Sequence, residues 1–191
     1  MSELQVRGYI VSTTASYLRH RMADQHAKVF ANLSPSLRKI LDDIKPAQWY
    51  PVAAVSELNR VIVAEAGGNV DERARDELRK CGNHMAHEAT NTFLKLFMKM
   101  LTPGLFAKKL PDLWSRDCSG GRLVVSADDK KLSCQFFDAA GYDHLGAVAT
   151  GYVGFALEAM GKKIDKVVLR DWSVQQPNFN GVSFDLVWSV S

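Results

Sequence analysis

Apolar and polar residues alternate along the end of the chain, and this two-residue period predicts a β-strand over residues 182–190 with one buried face. The alternating apolar residues are Val182, Phe184, Leu186, Trp188 and Val190. A second strand is predicted just upstream, over residues 166–174. Further upstream, the apolar segments 123–126 and 132–137 flank the polar turn 127–130, and this arrangement predicts a β-hairpin.

Apolar residues spaced three and four apart predict helices in the first part of the chain. Ser34 before Pro35 is typical of a helix start, because serine accepts a hydrogen bond from a free amide of the first turn. Asp71 is predicted to cap the longest helix, over residues 72–101, and Pro103 ends it. A shorter helix follows through residues 106–114. Residues 6–12 alternate weakly, which fits a short strand or the entry to a helix, and we prefer the strand.

Small residues recur every fourth position on the helix predicted between the hairpin and the last two strands. Gly146, Thr150 and Gly154 therefore share one stripe, along which another backbone can approach closely. We expect this stripe to be a close-packing seam, either within the domain or across a dimer.

The order of elements predicts an α+β fold, with a helical N-terminal part packed on a small antiparallel sheet of order β-β-α-β-β at the C-terminal end. Residues 1–191 are expected to form a single domain, in which 1–118 are mainly helical and 119–191 form an α+β subdomain. A chain of this length with 47% apolar residues can bury one full core.

Charge and cysteine content exclude several classes of protein. A net charge of +3 without a long basic run gives no support for nucleic acid binding. The chain start lacks a signal-peptide pattern, and no segment approaches the roughly 18 apolar residues that a membrane span needs. Cys81, Cys118 and Cys134 are odd in number and widely spaced, which favours a reducing compartment over a disulfide framework. We therefore expect a cytoplasmic protein.

One helix carries weak candidate metal ligands. Cys81 with His84, or His84 with His87, could each present two ligands on one face, but the three cannot converge and a structural zinc site needs four. A single histidine could also serve haem as an axial ligand, although we expect neither metal nor haem here and no cofactor elsewhere. A thiol nucleophile at Cys118, close to Arg116, is conceivable, but an ordinary loop cysteine is favoured.

The aromatic residues are either core residues, which is the preferred interpretation, or the lining of a ligand cavity between the helical layer and the sheet. The cavity candidates are Trp49, Tyr50, Phe93, Phe97, Phe106, Trp114, Tyr152 and Phe155. Among the tryptophans, Trp49, Trp114 and Trp188 are predicted to be largely buried and Trp172 to be more exposed.

Several short motifs carry a resemblance to a known group of domains. They are Gln48-Trp49-Tyr50-Pro51, Leu101-Thr102-Pro103, the segment from Leu110 to Trp114, the segment from Gly151 to Leu157, and the segment from Phe184 to Trp188. With the order of elements, they resemble the group that contains the vinyl-reductase-type 4VR module, the haem-NO-binding-like domains and the TRAPP subunit fold. The chain is also similar to paralogous proteins of about this length in myxobacteria and their relatives.

This resemblance implies a compact α+β fold, often dimeric, with a cavity that holds a small molecule, an acyl chain or, in some relatives, haem. Many relatives carry two cysteines near the last strand, whereas residues 172–184 of this chain contain none, so a metal or redox role there is doubtful. We therefore favour a non-catalytic sensory or adaptor domain that binds a hydrophobic small molecule or a protein partner, as a homodimer. The alternative is a small metal- or thiol-dependent enzyme that uses the Cys81/His84/His87 helix or Cys118.

Overall fold

A computed structural model describes residues 3–21, 26–90, 98–171 and 181–189. In chain order its elements are β1 (Gln5–Arg7), α1 (Gly8–Arg21), α2 (His26–Ala31), α3 (Pro35–Asp42), β2 (Trp49–Pro51), α4 (Val52–Glu65), α5 (Glu72–Ala89), α6 (Pro103–Asp117), β3 (Arg122–Ala127), β4 (Lys131–Phe137), α7 (Leu145–Ala159), β5 (Ile164–Asp171) and β6 (Gly181–Trp188). Within these ranges, no helix combines the length and the apolar character that crossing a bilayer requires.

The C-terminal elements form a four-stranded antiparallel sheet of order β3-β4-β6-β5. In its register, Phe184 of β6 lies between Cys134 of β4 and Leu169 of β5. Phe184, Leu186 and Trp188 are at most 1% exposed, so the alternation in the sequence does mark one buried face. The helix α7 joins β4 to β5, which confirms the α+β class and the predicted order β-β-α-β-β.

The predicted helix starts are also present. Ser34 accepts a hydrogen bond from the backbone amide of Leu37 at the start of α3, and Asp71 accepts one from the amide of Ala74 at the start of α5. Thr102 caps α6 in the same way, one residue before Pro103. These side chains satisfy amides that the first helical turn leaves without a partner.

The strand predicted over residues 6–12 is wrong for most of its length, because only Gln5–Arg7 pair with β2 and α1 begins at Gly8. The buried residues that follow are Ile10, Val11, Thr14, Ala15 and Leu18, which is a helical repeat rather than an alternating one. Gly8 lies at the crowded junction, where an added Cβ would be 2.2 Å from the backbone oxygen of Lys45.

The long helix predicted over residues 72–101 is also wrong in its extent, since α5 ends at Ala89. Thr90 adopts an extended conformation with φ −114° and ψ 107°, and its amide donates to the His87 carbonyl. Threonine is β-branched and its hydroxyl bonds back to the Ala86 carbonyl, both of which weaken its preference for a helix interior. Residues 91–97 lie outside the described residues.

Two glycines allow α5 and α7 to cross in close contact. A Cβ added at Gly82 would lie 1.9 Å from the backbone oxygen of Val148, and one at Gly151 would lie 1.9 Å from that of Arg79. Only glycine permits backbones to approach this closely. The crossing joins the helical part of the chain to the helix that packs on the sheet.

Within the domain, the predicted seam along Gly146, Thr150 and Gly154 is confirmed only in part, and a seam across a dimer stays a prediction. A Cβ at Gly146 would lie 2.5 Å from Leu169 of β5, and Thr150 is 3% exposed. A Cβ at Gly154 would meet nothing within 4 Å, because this residue borders a surface hollow. Close approach of a helix is confined to the place where the two axes cross, which a four-residue repeat alone does not locate.

Candidate functional site

A cavity of about 110 Å³ lies between α1, α6 and α7 on one side and strands β3 and β4 on the other. Most of its wall is apolar, with Leu110 and Leu113 from α6 and Val148 and Val153 from α7. The Trp114 and Phe136 rings meet edge to face in this wall, 5.0 Å apart. Such a wall is suited to an apolar occupant.

The polar part of the cavity wall is centred on Asp117, at the end of α6. Its carboxylate accepts a hydrogen bond from the Tyr9 hydroxyl at 2.6 Å. It also accepts two from the Arg116 guanidinium, at 2.8 Å and 2.7 Å, which raise the pKa of Arg116. Asp117 is 8% exposed, so this buried carboxylate is paired with a cation, as buried charges generally are.

Three tyrosines, Tyr9, Tyr142 and Tyr152, line this cavity. Burial is the largest cause of a raised pKa in each of them, and for Tyr9 the nearby Tyr152 and the hydrogen bond to Asp117 raise it further. All three hydroxyls are therefore neutral at physiological pH and are able to donate and to accept hydrogen bonds.

The structure places only some of the aromatic candidates at this cavity. Trp114 and Tyr152 line it, whereas Phe106 is buried in the core outside the lining. Phe155 borders the separate hollow beside Gly154. Phe93 and Phe97 lie outside the described residues.

Trp49 and Tyr50, which were also candidates, lie in β2 away from this cavity. The Trp49 ring is covered by the Arg7 guanidinium at 4.0 Å, and the Tyr50 hydroxyl accepts from the Lys45 amide at 2.9 Å. Trp49 and Trp114 are half-buried rather than largely buried, while Trp188 is 1% exposed as expected. Trp172 lies outside the described residues.

Sequence reasoning missed Tyr9, Asp117 and Tyr142 as cavity residues. Tyr9 falls in the segment predicted as a strand, and Tyr142 lies in a loop between β4 and α7. The only local signal was an acidic residue next to Arg116 at the end of an amphipathic helix, a pattern that is common on protein surfaces.

The candidate metal ligands on α5 point to different surroundings. Cys81 is fully buried, and burial raises the pKa of its thiol to about 12. The His84 ring packs 5.4 Å from His20 of α1, while His87 packs against Phe155 of α7. In the described part of the chain, no three potential ligands come together to hold a metal ion.

Cys118 does not have the surroundings of an activated thiol. It is 4% exposed, and burial together with the charge of Asp117 raises its pKa. The Arg116 guanidinium, which might have stabilised a thiolate, is engaged by Asp117 instead. A raised pKa and a covered sulfur both oppose nucleophilic chemistry.

No family model matches this sequence, and no curated protein matches it. Solved structures match its fold. The Fe(II) unliganded H-NOX protein from K. algicida has a TM-score of 0.68 at 12% identity, over 97% of each chain. A Cs H-NOX mutant with an unnatural amino acid has a TM-score of 0.61 at 12% identity, over 96% of this chain and 97% of that one. A mutant of the T. Tengcongensis H-NOX has a TM-score of 0.55 at 13% identity, over 96% and 98%.

At this level of identity the likeness establishes the fold alone: the chain has the α+β fold of H-NOX domains. The haem-NO-binding-like part of the resemblance is thereby confirmed as a likeness of fold. A fold does not by itself carry a function, so the residues of the cavity decide whether haem fits.

The described wall of the cavity offers haem iron few ligands. Proteins hold that iron through His, Cys, Met or Tyr side chains. Among the described residues, the cavity wall contains no His or Cys, which leaves Met85 and the three tyrosines. The raised pKa of each tyrosine opposes the phenolate form that would bind iron.

Size and charge also oppose haem. A volume of about 110 Å³ is below the roughly 300–1,000 Å³ of pockets for drug-sized ligands, and haem is larger than most such ligands. The described wall offers no Lys, Arg or His for the haem carboxylates, and the one charged residue in it is the acidic Asp117. The residues present do not fit haem.

Proposed function

We propose that this protein is a non-catalytic sensory or adaptor domain that binds a small hydrophobic molecule, without haem, in the cavity between α1, α6, α7 and the sheet. The carrying observation is the cavity itself, with its apolar wall and its volume of about 110 Å³. An apolar protein cavity of about 150 Å³ can take up benzene, so a ligand of that size or slightly smaller is expected.

Thermal denaturation in the presence of benzene tests this proposal. A ligand that binds only the folded state raises the melting temperature in proportion to its occupancy. Val153→Phe should fill the cavity and abolish the rise, because Val153 lies in the wall and is 4% exposed. Val124→Phe, at a 39% exposed position on β3, is the matched control and should retain the rise. A rise of the same size in both variants would place binding elsewhere.

The same proposal separates this chain from the haem-containing proteins whose fold it shares. The purified protein should show no Soret band, and titration with haemin should give only the spectrum of free haemin. A stoichiometric Soret band that the Val153→Phe variant loses would mean that the cavity opens to admit haem, and the domain would then be a haem sensor.

We also propose that the protein is a homodimer located in the cytoplasm. We propose that it is related to the bacterial 4VR and TRAPP-like modules, including the similar myxobacterial proteins. The resemblance to this group supports a dimer, because dimers are frequent among its members. Residues 1–191 are treated as one domain, because α7 from the second part packs on α5 from the first through two glycines. Sedimentation velocity at micromolar concentration should give the mass of a dimer, and a single monomer boundary would contradict it.

A further inference from the structure

Two tyrosine hydroxyls on the cavity wall have no hydrogen-bond partner among the residues that the structure describes. Tyr142 is 9% exposed and Tyr152 is half-buried, and both line the cavity. The Tyr9 hydroxyl differs from them, since it donates to Asp117. Among the described residues, the buried side-chain polar atom without a partner is the Asn59 oxygen, so the two tyrosine hydroxyls are not sealed in the interior. Both residues line the cavity, where a ligand could accept a hydrogen bond from them.

Tyr142 is held in position by buried polar residues of α4. The Ser56 hydroxyl donates to the Gly141 carbonyl at 2.5 Å and accepts from the Asp143 amide at 2.9 Å. The Asn59 side-chain amide donates to the Asp143 carbonyl at 2.9 Å. Ser56 is 2% exposed and Asn59 is fully buried. The backbone on both sides of Tyr142 is therefore fixed, and a fixed group loses little entropy on binding a ligand.

The charges near the cavity favour a neutral occupant. The Asp117 carboxylate is already paired with Arg116 and bonded to Tyr9, so a cation would have to compete with an existing partner. An anion would meet this carboxylate with no Lys, Arg or His in the described wall to offset it. The two free hydroxyls can donate to a neutral acceptor without any change of charge.

We propose that this cavity recognises small neutral molecules that carry one carbonyl-type hydrogen-bond acceptor, to which Tyr142 and Tyr152 donate. The inference rests on the proposed function, because it requires that the cavity binds a small hydrophobic molecule at all. It adds the chemical class: an apolar body close to benzene in size, with one ketone, aldehyde or amide oxygen at the tyrosine side of the cavity.

A pair of probes with the same shape tests this class. Cyclopentanone, which has as many heavy atoms as benzene, carries a carbonyl oxygen where methylenecyclopentane carries a CH2 group. Cyclopropanecarboxylate has the same number of heavy atoms and a negative charge. Dissociation constants would be measured by NMR titration for the wild type, for Tyr142→Phe, Tyr152→Phe and the double variant, and for Tyr50→Phe as the control, since Tyr50 lies away from the cavity. Removing an unpaired hydroxyl breaks no hydrogen bond, so Tyr142→Phe and Tyr152→Phe should fold like the wild type.

We expect cyclopentanone to bind the wild type about tenfold more tightly than methylenecyclopentane, as one hydrogen bond allows. Tyr142→Phe and Tyr152→Phe should each reduce this preference and the double variant should remove it, while Tyr50→Phe should keep it. Equal binding of the two neutral probes in the wild type would overturn the carbonyl class and leave the proposed function standing. If the carboxylate bound as tightly as the ketone, the inference that the occupant is neutral would be wrong. If no probe bound, the proposed function itself would fail, and this inference with it.

Discussion

Replacing Gly151 with Ala should destabilise the protein through a backbone collision between α5 and α7. The added Cβ would lie 1.9 Å from the Arg79 carbonyl oxygen, 2.7 Å from its carbon and 2.9 Å from the Asn83 nitrogen. Carbon and oxygen atoms normally approach to roughly 3.3 Å, so the helices would have to separate by roughly 1.4 Å at this point. All three obstructing atoms belong to the backbone, so no side-chain rotation can relieve the collision.

The expected cost follows from two opposing effects. Overpacking of a close-packed interior costs about 1–3 kcal/mol, and the size of this overlap favours the upper half of that range. Replacing glycine with alanine inside a helix stabilises the folded state by about 0.5–1 kcal/mol, which offsets part of this cost. For a protein of this length each kcal/mol shifts the melting temperature by about 2–4 °C. Gly151→Ala should therefore melt several degrees below the wild type, in a thermal scan followed by circular dichroism.

Gly154→Ala is the matched control on the same helix. Its Cβ would meet nothing within 4 Å, so only the gain in helix preference remains and the melting temperature should stay level or rise slightly. Gly82→Ala should behave like Gly151→Ala, since its Cβ would lie 1.9 Å from the Val148 oxygen. If Gly151→Ala and Gly154→Ala melted at the same temperature, the close crossing of α5 and α7 would be refuted.

Three further changes have defined outcomes. Burial opposes ionisation of Glu77, but hydrogen bonds, led by that from Lys80, lower its pKa to about 2. Because this pKa is below the usual 4.5, ionised Glu77 stabilises the folded protein fully above pH 4.5, and this stabilisation is lost as the pH falls towards 2. Glu77→Gln should therefore make the melting temperature less dependent on pH over that window, while Glu72→Gln should not. Ser34→Ala should cost about 0.5–2 kcal/mol in urea unfolding through loss of the α3 cap, and an unchanged midpoint would contradict the cap. A variant with Trp188 as its only tryptophan should resist acrylamide quenching, since this residue is 1% exposed; strong quenching would mean that β6 presents its other face to the core.

The sequence was most informative where the structure depends on near neighbours. The buried face of β6 follows from alternation, and the starts of α3 and α5 follow from Ser34 and Asp71, whose side chains bond amides three residues away. These signals act over one turn of helix or along one strand. They could therefore be read without knowing how the elements pack.

The sequence-based predictions were wrong where contacts between distant parts of the chain determine the local structure. Residues 6–12 contain both a weak alternation and a helical repeat, and the pairing of β1 with β2 stops at Arg7, where Gly8 donates its amide to Gln48 instead. The end of α5 at Thr90 interrupts an apolar repeat that continues in the sequence. The point where the axes of α5 and α7 cross decides which glycine of α7 contacts α5. The sequence of either helix alone does not predict that point.

The cavity was the least predictable feature, because its polar residues come from distant parts of the chain. Tyr9 lies 108 positions from Asp117, yet their side chains share a 2.6 Å hydrogen bond. Of the aromatic candidates, Trp114 and Tyr152 lie in the wall of the cavity, but residue type could not separate wall residues from core residues. Whether an aromatic residue lies in the wall or in the core depends on how the elements pack and not on the residue type.

A shared fold does not require a shared ligand. A fold does not by itself fix the ligand, because side chains decide what a cavity can hold. Here Trp114, Phe136 and three tyrosines line a small cavity, and the one charged residue in its described wall is the carboxylate of Asp117. No single substitution would make this site fit haem, because its volume and its charge would both have to change. The aromatic side chains that keep the cavity too small for haem are thus the same ones that give it an apolar wall with a few hydroxyl groups.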